Sequence, residues 1–264
     1  MNTPNYRIIE FPKSRLATFD IGAVGRRKHY VSAFLELDVT VARERIRSAK
    51  TERGARISFT SWLLKTIGDA IGRHKEVAAF RCGRRKLMVF DDAALSIIVE
   101  KELDGAKVPI PLVIRKVNAK SVEDIAAEIE KAKSERFADG RVVLGQGASA
   151  PEKLYYLMPG RMRRMVWRFI LSRPRLAYKK MGNAVFTSVG MMGRVNGWFT
   201  QTSVHPISFG VGSIIRKPIV VGEDIKVREV LHMTLLIDHD AVDGAPMARF
   251  VKELSESIES AAGL

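Results

Sequence analysis

The sequence predicts an α/β protein, and three features predict it. Apolar, strand-like runs recur at 29–40, 93–100, 108–114, 210–221 and 225–238. Segments with apolar residues at helical spacing stand between and after them, at 58–73, 122–129 and 245–258. With 46% apolar and 28% charged residues, a chain of 264 can bury a sizeable core and is not disordered.

Residues 1–28 hold short apolar pieces and the basic cluster Arg26-Arg27-Lys28, and are expected to form an N-terminal arm or edge strand. A single domain at 29–264 follows. His29 to Thr40 reads as a strand, and Val41 to Lys50 as a polar helix with Glu44 and Arg45 toward solvent. The next helix runs from Ser58 to Arg73, capped by Ser58 or Thr60, with Trp62, Leu63, Thr66, Ile67, Ala70 and Ile71 as its apolar face. His74 at its end is expected to meet the last carbonyls rather than to catalyse. Strands are expected at Lys86–Phe90, Ala93–Glu100 and Val108–Ile114. Ser121 caps a helix with Val122, Ile125, Ala126 and Ile129 on one face, and Glu123 and Asp124 in its first turn suit the helix dipole.

Residues 134–150 are rich in Gly and Ser and read as a loop. In the basic segment 161–180, Met162, Met165, Val166, Phe169 and Ile170 share one helical face, with Arg161, Arg164, Arg168 and Arg175 largely off it. No acidic residue stands between Glu152 and Glu223. The expected arrangement packs the apolar face on the protein's own body or on a neighbouring subunit, leaving the arginines outside. The alternative is contact with a membrane surface, or a cap over an anionic acyl donor.

The net charge of +15 calls for an anionic partner, a phosphorylated small molecule or a lipid surface. Nucleic acid is disfavoured, because no zinc-finger spacing and no aromatic RNA-binding motif accompany the charge. One cysteine, Cys82, excludes an internal disulfide framework and suits a reducing cytoplasm. The first residues lack the pattern of a signal peptide, and the longest uncharged run, 195–215, is broken by Asn, Gln, Ser, His and Pro. A cytoplasmic protein is expected.

The rest is organised around Val230 to Phe250. An apolar strand runs into Asp238-His239-Asp240-Ala241-Val242-Asp243-Gly244, a turn, and then into a helix with Met247, Phe250, Val251, Leu254 and Ile258 at its core-facing positions. His239 therefore stands where a buried strand meets a loop. No third ligand at a useful spacing supports a metal site.

Asp-His-Asp-Ala-Val-Asp-Gly resembles the His-x-x-x-Asp-Gly signature of the catalytic core of 2-oxoacid dehydrogenase dihydrolipoyl acyltransferases. Four further stretches are similar to that family in the same order: His29 to Thr40, His74 to Val77, Pro111 to Ser121, and Asn183 to Gly193 continued by Gly210 to Val221. The resemblance spans about 29–130 and 182–260, with a basic insertion at about 134–181. It implies a two-layer α+β, chloramphenicol-acetyltransferase-like fold, a mixed sheet packed with helices. It also implies a homotrimer with sites at subunit interfaces, and leaves a higher assembly open.

For chemistry, the resemblance implies coenzyme A as acyl carrier, His239 as general base, and a hydroxyl that stabilises the oxyanion. Aligned on Gly190, that hydroxyl is Thr187; a frame slipped by one gives Ser188. Asp243 is implied to brace the loop through an arginine, with Arg15, Arg26 and Arg27 as candidates. Gly244, Asp240 and His205 are secondary candidates. His205 is either a satisfied strand histidine or part of a pocket, and Asp240 replaces the arginine usual after the histidine. No lipoyl attachment is expected in this chain, so a lipoyl acceptor would arrive in trans. Three functions stay open: a stand-alone acyltransferase with an unidentified acceptor, a core serving a 2-oxoacid dehydrogenase complex, and a catalytically silent trimeric scaffold or membrane-associated module.

Overall fold

The computed structural model describes residues 5–12, 15–103, 106–134, 150–190, 193 and 195–264. In chain order these form α1 (Arg15–Gly25), β1 (Tyr30–Asp38), α2 (Thr40–Arg53), α3 (Phe59–Arg73), β2 (Phe80–Cys82), β3 (Lys86–Met88), β4 (Leu95–Leu103) and β5 (Ala106–Ile114). There follow α4 (Val122–Ser134), α5 (Ala150–Leu157), α6 (Gly160–Leu171), α7 (Pro174–Met181), β6 (Ala184–Ser188), β7 (Ile207–Val221), β8 (Asp224–Asp238) and α8 (Gly244–Glu259).

The main sheet has the order β1-β8-β7-β6-β4-β5 and is mixed. β6 runs parallel to both β4 and β7, and the other neighbours are antiparallel. Successive side chains of its strands alternate between the two faces, and in the inner parts of β7 and β8 both faces are covered. Ile207, Phe209 and Val211 of β7, with Leu231, Met233, Leu235 and Ile237 of β8, are buried against a layer built from α2, α3, α4 and α8. Their neighbours Ser208, Gly210, His232 and Thr234 point to the other face. This gives the two layers expected.

Local chemistry fixes the helix ends. Ser58 and Ser61 form a reciprocal capping box at the start of α3. Ser121 accepts from the Asp124 N–H at 3.0 Å, while the Asp124 carboxylate accepts from the Ser121 N–H. His74 departs from expectation: its Nε2 lies 2.6 Å from Glu253 Oε2, so it ties the end of α3 to α8 rather than to its own carbonyls. At the join of α7 and β6, Gly182 has φ +74° and a Cβ there would collide with the Ala94 carbonyl oxygen, so only glycine fits.

Other expectations meet different outcomes. The arm contains a helix, α1, because Ile21 and Val24 find an apolar partner in Trp167 and Leu171 of α6. The strand expected at 86–90 is shortened to β3, which pairs with β2 in a separate two-stranded sheet. The loop expected at 134–150 lies almost wholly outside the described residues. In α6 the apolar face does not pack on the body of this chain, while Arg161, Arg164 and Arg168 lie outside or half-outside as expected. Met162, Met165, Val166 and Phe169 are exposed, whereas Arg163 is buried. Among the described residues, no helix is long and apolar enough to cross a membrane.

Candidate active site

β8 delivers the turn. Its last residues are buried in the centre of the sheet, and Asp238 closes the strand against Tyr30 of β1. The Ala241 and Val242 N–H groups donate back to the Asp238 carbonyl at 3.0 and 3.3 Å, which shapes the turn. The His239 N–H donates to the His29 carbonyl at 2.8 Å. Lys28 forms an ion pair with the Asp238 carboxylate, which is only 7% exposed. Asp240 is held from outside, by His29 Nδ1 at 2.9 Å and Arg81 at 3.5 Å. The hydrogen bond from His29 keeps the Asp240 carboxyl below the usual carboxylate range, with Arg81 and Lys28 adding to it against the cost of partial burial.

The backbone of His239 is thus pinned on both flanks, while its imidazole stays exposed and makes no hydrogen bond among the described residues. Asp243 stands at the N-cap of α8, exposed and without a side-chain capping bond. The ion pair expected between Asp243 and Arg15, Arg26 or Arg27 is not formed among the described residues. Lys28 and Asp238 brace the loop instead. Gly244 opens α8 with free space where a Cβ would stand, so no close approach demands it.

Thr187 lies on β6, opposite Gly210 of β7, which in turn pairs with Thr234 of β8. Ala184 and Phe186 face the core, so the two-residue alternation puts Thr187 on the outer face and Ser188 on the core side of the strand's end. Asp238, the last residue of β8, is four positions past Thr234, roughly 13 Å along the strand direction, and His239 lies beyond it in the turn. One chain therefore does not bring Thr187 and His239 together.

His205 is not a pocket residue. It is buried before β7, with Nε2 3.0 Å from the Met181 carbonyl and its own carbonyl accepting from the Tyr30 hydroxyl at 2.6 Å. Burial pushes its pKa down to about 4, against the hydrogen bond to Met181 and aided by the charge of Lys28. It is a neutral structural histidine.

The sequence reading missed a second group on the outer face. Trp198 stacks on His232 with centroids 4.5 Å apart and donates to the Leu35 carbonyl. His232 is fully buried, and both its ring nitrogens and the Thr234 hydroxyl lack a hydrogen-bond partner; the nearest charge is Glu36, 3.5 Å away and bonded to Lys217. The Gln201 side chain reaches the Ser208 hydroxyl at 2.8 Å on β7. The signal was present: in 230–238 the polar residues His232 and Thr234 fall on alternate positions of an otherwise apolar run. Among the described residues, no group of three or more His, Cys, Asp or Glu gathers as for a metal ion.

The profile of the family described as 2-oxoacid dehydrogenases acyltransferase (catalytic domain) matches residues 30–143 and 176–264. The chain belongs to this family. A lipoamide acyltransferase component of the branched-chain alpha-keto acid dehydrogenase complex of Bacillus subtilis is 24% identical over 94% of this chain and 55% of its own length. The chain spans from 12% to 55% of the length of three curated relatives that it matches. Among solved structures, a probable dihydrolipoamide acetyltransferase of Listeria monocytogenes superposes with a TM-score of 0.68 at 18% identity, over 97% of this chain and 95% of the other. A dihydrolipoamide acetyltransferase of Azotobacter vinelandii, studied for the catalytic roles of one serine, one histidine and one asparagine, gives 0.66 at 18% identity over 98% and 97%. Chloramphenicol acetyltransferase shares the fold, with a TM-score of 0.51 at 12% identity over 94% and 96%.

Proposed function

We infer that this chain transfers an acyl group between coenzyme A and an acceptor nucleophile, with His239 as base and Thr187 as oxyanion donor. The observation that carries this reading is the unbonded imidazole of His239 on a turn whose backbone is held at both flanks. A general base must be rigid yet free at its nitrogen, and an imidazole titrates in the useful range. Spacing supports the assignment of Thr187 over Ser188. The serine, histidine and asparagine of the Azotobacter protein are separated by the same intervals as Thr187, His239 and Asp243 here.

The reaction runs as a direct transfer. His239 takes the proton of the acceptor thiol, hydroxyl or amine, and the acceptor atom bonds to the thioester carbonyl carbon. The oxyanion that forms accepts a hydrogen bond from the Thr187 hydroxyl. The carbon–sulfur bond then breaks, and His239 returns the proton to the departing thiolate. Because Thr187 and His239 stand far apart in one chain, the proposed working unit is a trimer in which each site takes the histidine from one copy and the threonine from the next. Asp240, turned to His29 and Arg81, steadies the turn and takes no part in proton transfer. A core acting on lipoyl groups in trans is the second reading, favoured by the dehydrogenase-complex relatives.

Release of thiol from acetyl-coenzyme A and longer esters tests the proposal, with dihydrolipoamide and a panel of amines and alcohols as acceptors. His239→Ala is expected to lower turnover by about 100-fold or more. Thr187→Ala is expected to lower it by about 100–1000-fold, while Thr187→Ser keeps most of it. The acceptor that works separates the first two readings. Turnover indifferent to His239→Ala would overturn the mechanism, and no turnover with any pair would favour the silent scaffold.

A further inference from the structure

The side of α6 that the fold leaves outside is its apolar side. Met162, Met165, Val166 and Phe169 are 50%, 65%, 37% and 50% exposed, and α5 adds Leu154 and Leu157. The opposite side is held inward by polar contacts. Arg163 donates to Asp20 of α1 at 2.6 Å and to the Met158 carbonyl at 2.8 Å. The Tyr155 hydroxyl also donates to Asp20, at 2.9 Å, and accepts from Trp167 Nε1 at 3.0 Å. A buried ion pair with this many bonds sets the rotation of the helix, so the outward apolar stripe is fixed by the fold and is not a loosely packed end.

The stripe has a charged border. Arg161, Arg164 and Arg168 follow one another along one edge of the helix at its own periodicity. The Arg173 guanidinium lies 3.7 Å from the centre of the Phe169 ring. We propose that the α5–α6 surface docks on an anionic lipid bilayer. Met162, Met165, Val166 and Phe169 enter the boundary between headgroups and acyl chains, and the flanking arginines meet lipid phosphates. This is the pattern of an interfacial helix, whose binding adds apolar burial to attraction by anionic lipid. A second copy laid against this one by the same face fits less well, because its stretch from Lys153 to Gly222 offers no carboxylate to the arginines. The proposal does not rest on acyl transfer, and its test reads binding alone.

The full-length chain would be sedimented with vesicles of phosphatidylcholine and with vesicles containing phosphatidylglycerol in equal part. The wild type is expected to pellet with the anionic vesicles only, and less at high salt. Removing two arginine charges in Arg161→Gln/Arg168→Gln is expected to weaken partitioning by about 30-fold, at about 1 kcal/mol per basic residue. Met165→Asp/Phe169→Asp is expected to abolish it; both pairs are exposed, so circular dichroism should be unchanged, and if the Asp variant fails to fold the arginine pair decides alone. Wild type left in the supernatant, or variants that bind as well as wild type, would overturn the proposal. So would a fall in sedimentation mass in Met165→Asp/Phe169→Asp without vesicles, which would assign the face to a second copy.

Discussion

His205 sets a limit on the protein's acid tolerance. Its imidazole is buried and neutral, with burial depressing its pKa to about 4, whereas an unfolded histidine titrates near ~6.5. The unfolded chain therefore binds the proton first as pH falls. The contribution of this group to stability is complete above ~6.5 and is lost as pH drops toward the folded value, for a total of about 3 kcal/mol. Urea unfolding at pH 7 and near pH 4.5 should show wild type losing about 2–3 kcal/mol more than His205→Gln, whose amide can still donate to the Met181 carbonyl. Equal losses in the two proteins would show that another group governs the acid limb. At this scale the sequence was informative where residues are close in the chain. The turn that carries His239 and Asp243 is found from its local motif, and the proposed roles of His239, Asp243 and Thr187 rest on such motifs too. Lys28 and Asp238 were not legible as a pair, because 210 positions separate them and only the pairing of β1 with β8 brings them together.

At the scale of elements, the informative case is α6. Its helical periodicity is plain in the sequence, yet which side faces the protein is decided by Asp20, a single carboxylate on α1 that is 1% exposed. Placing Arg163 against it pairs a buried charge, and that outweighs hiding Met165 and Phe169. Removing Asp20 leaves Arg163 without its carboxylate, and removing Arg163 leaves Asp20 with only the Tyr155 hydroxyl and Arg164 at 3.8 Å, each at a cost of about 3 kcal/mol. Asp20→Ala and Arg163→Met should each destabilise by about that amount in urea unfolding, whereas Asp20→Leu/Arg163→Met should cost much less than their sum. Additive losses would mean that the pair does not set the helix orientation. The same reasoning explains why α1 escaped the sequence reading: its segment is short and its apolar partners, Trp167 and Leu171, lie in the insertion. By contrast α3 and α4 carry their own caps, α8 its apolar spacing and the long β7–β8 hairpin its turn and alternation, and these were legible without knowledge of their neighbours.

For the whole molecule, the strand–helix alternation and the family motifs led to the mixed two-layer sheet, and the strand order completes it with β6 running parallel between β4 and β7. That order is also what separates the proposed catalytic groups. Thr187 sits on β6 and His239 on the turn after β8, two strands away and beyond the strand's end. If the reacting unit combines His239 of one copy with Thr187 of the next, the two defects must complement each other. His239→Ala and Thr187→Ala would each be inactive alone, yet co-refolding them in equal amounts should restore turnover. With random assortment around a ring, a given site receives an intact histidine and an intact threonine in about a quarter of cases. Activity near a quarter of wild type in the mixture, and none when the two proteins are mixed without unfolding, is the expected outcome. No recovery after refolding, with assembly shown intact by sedimentation, would place both groups on one chain or remove Thr187 from the reaction.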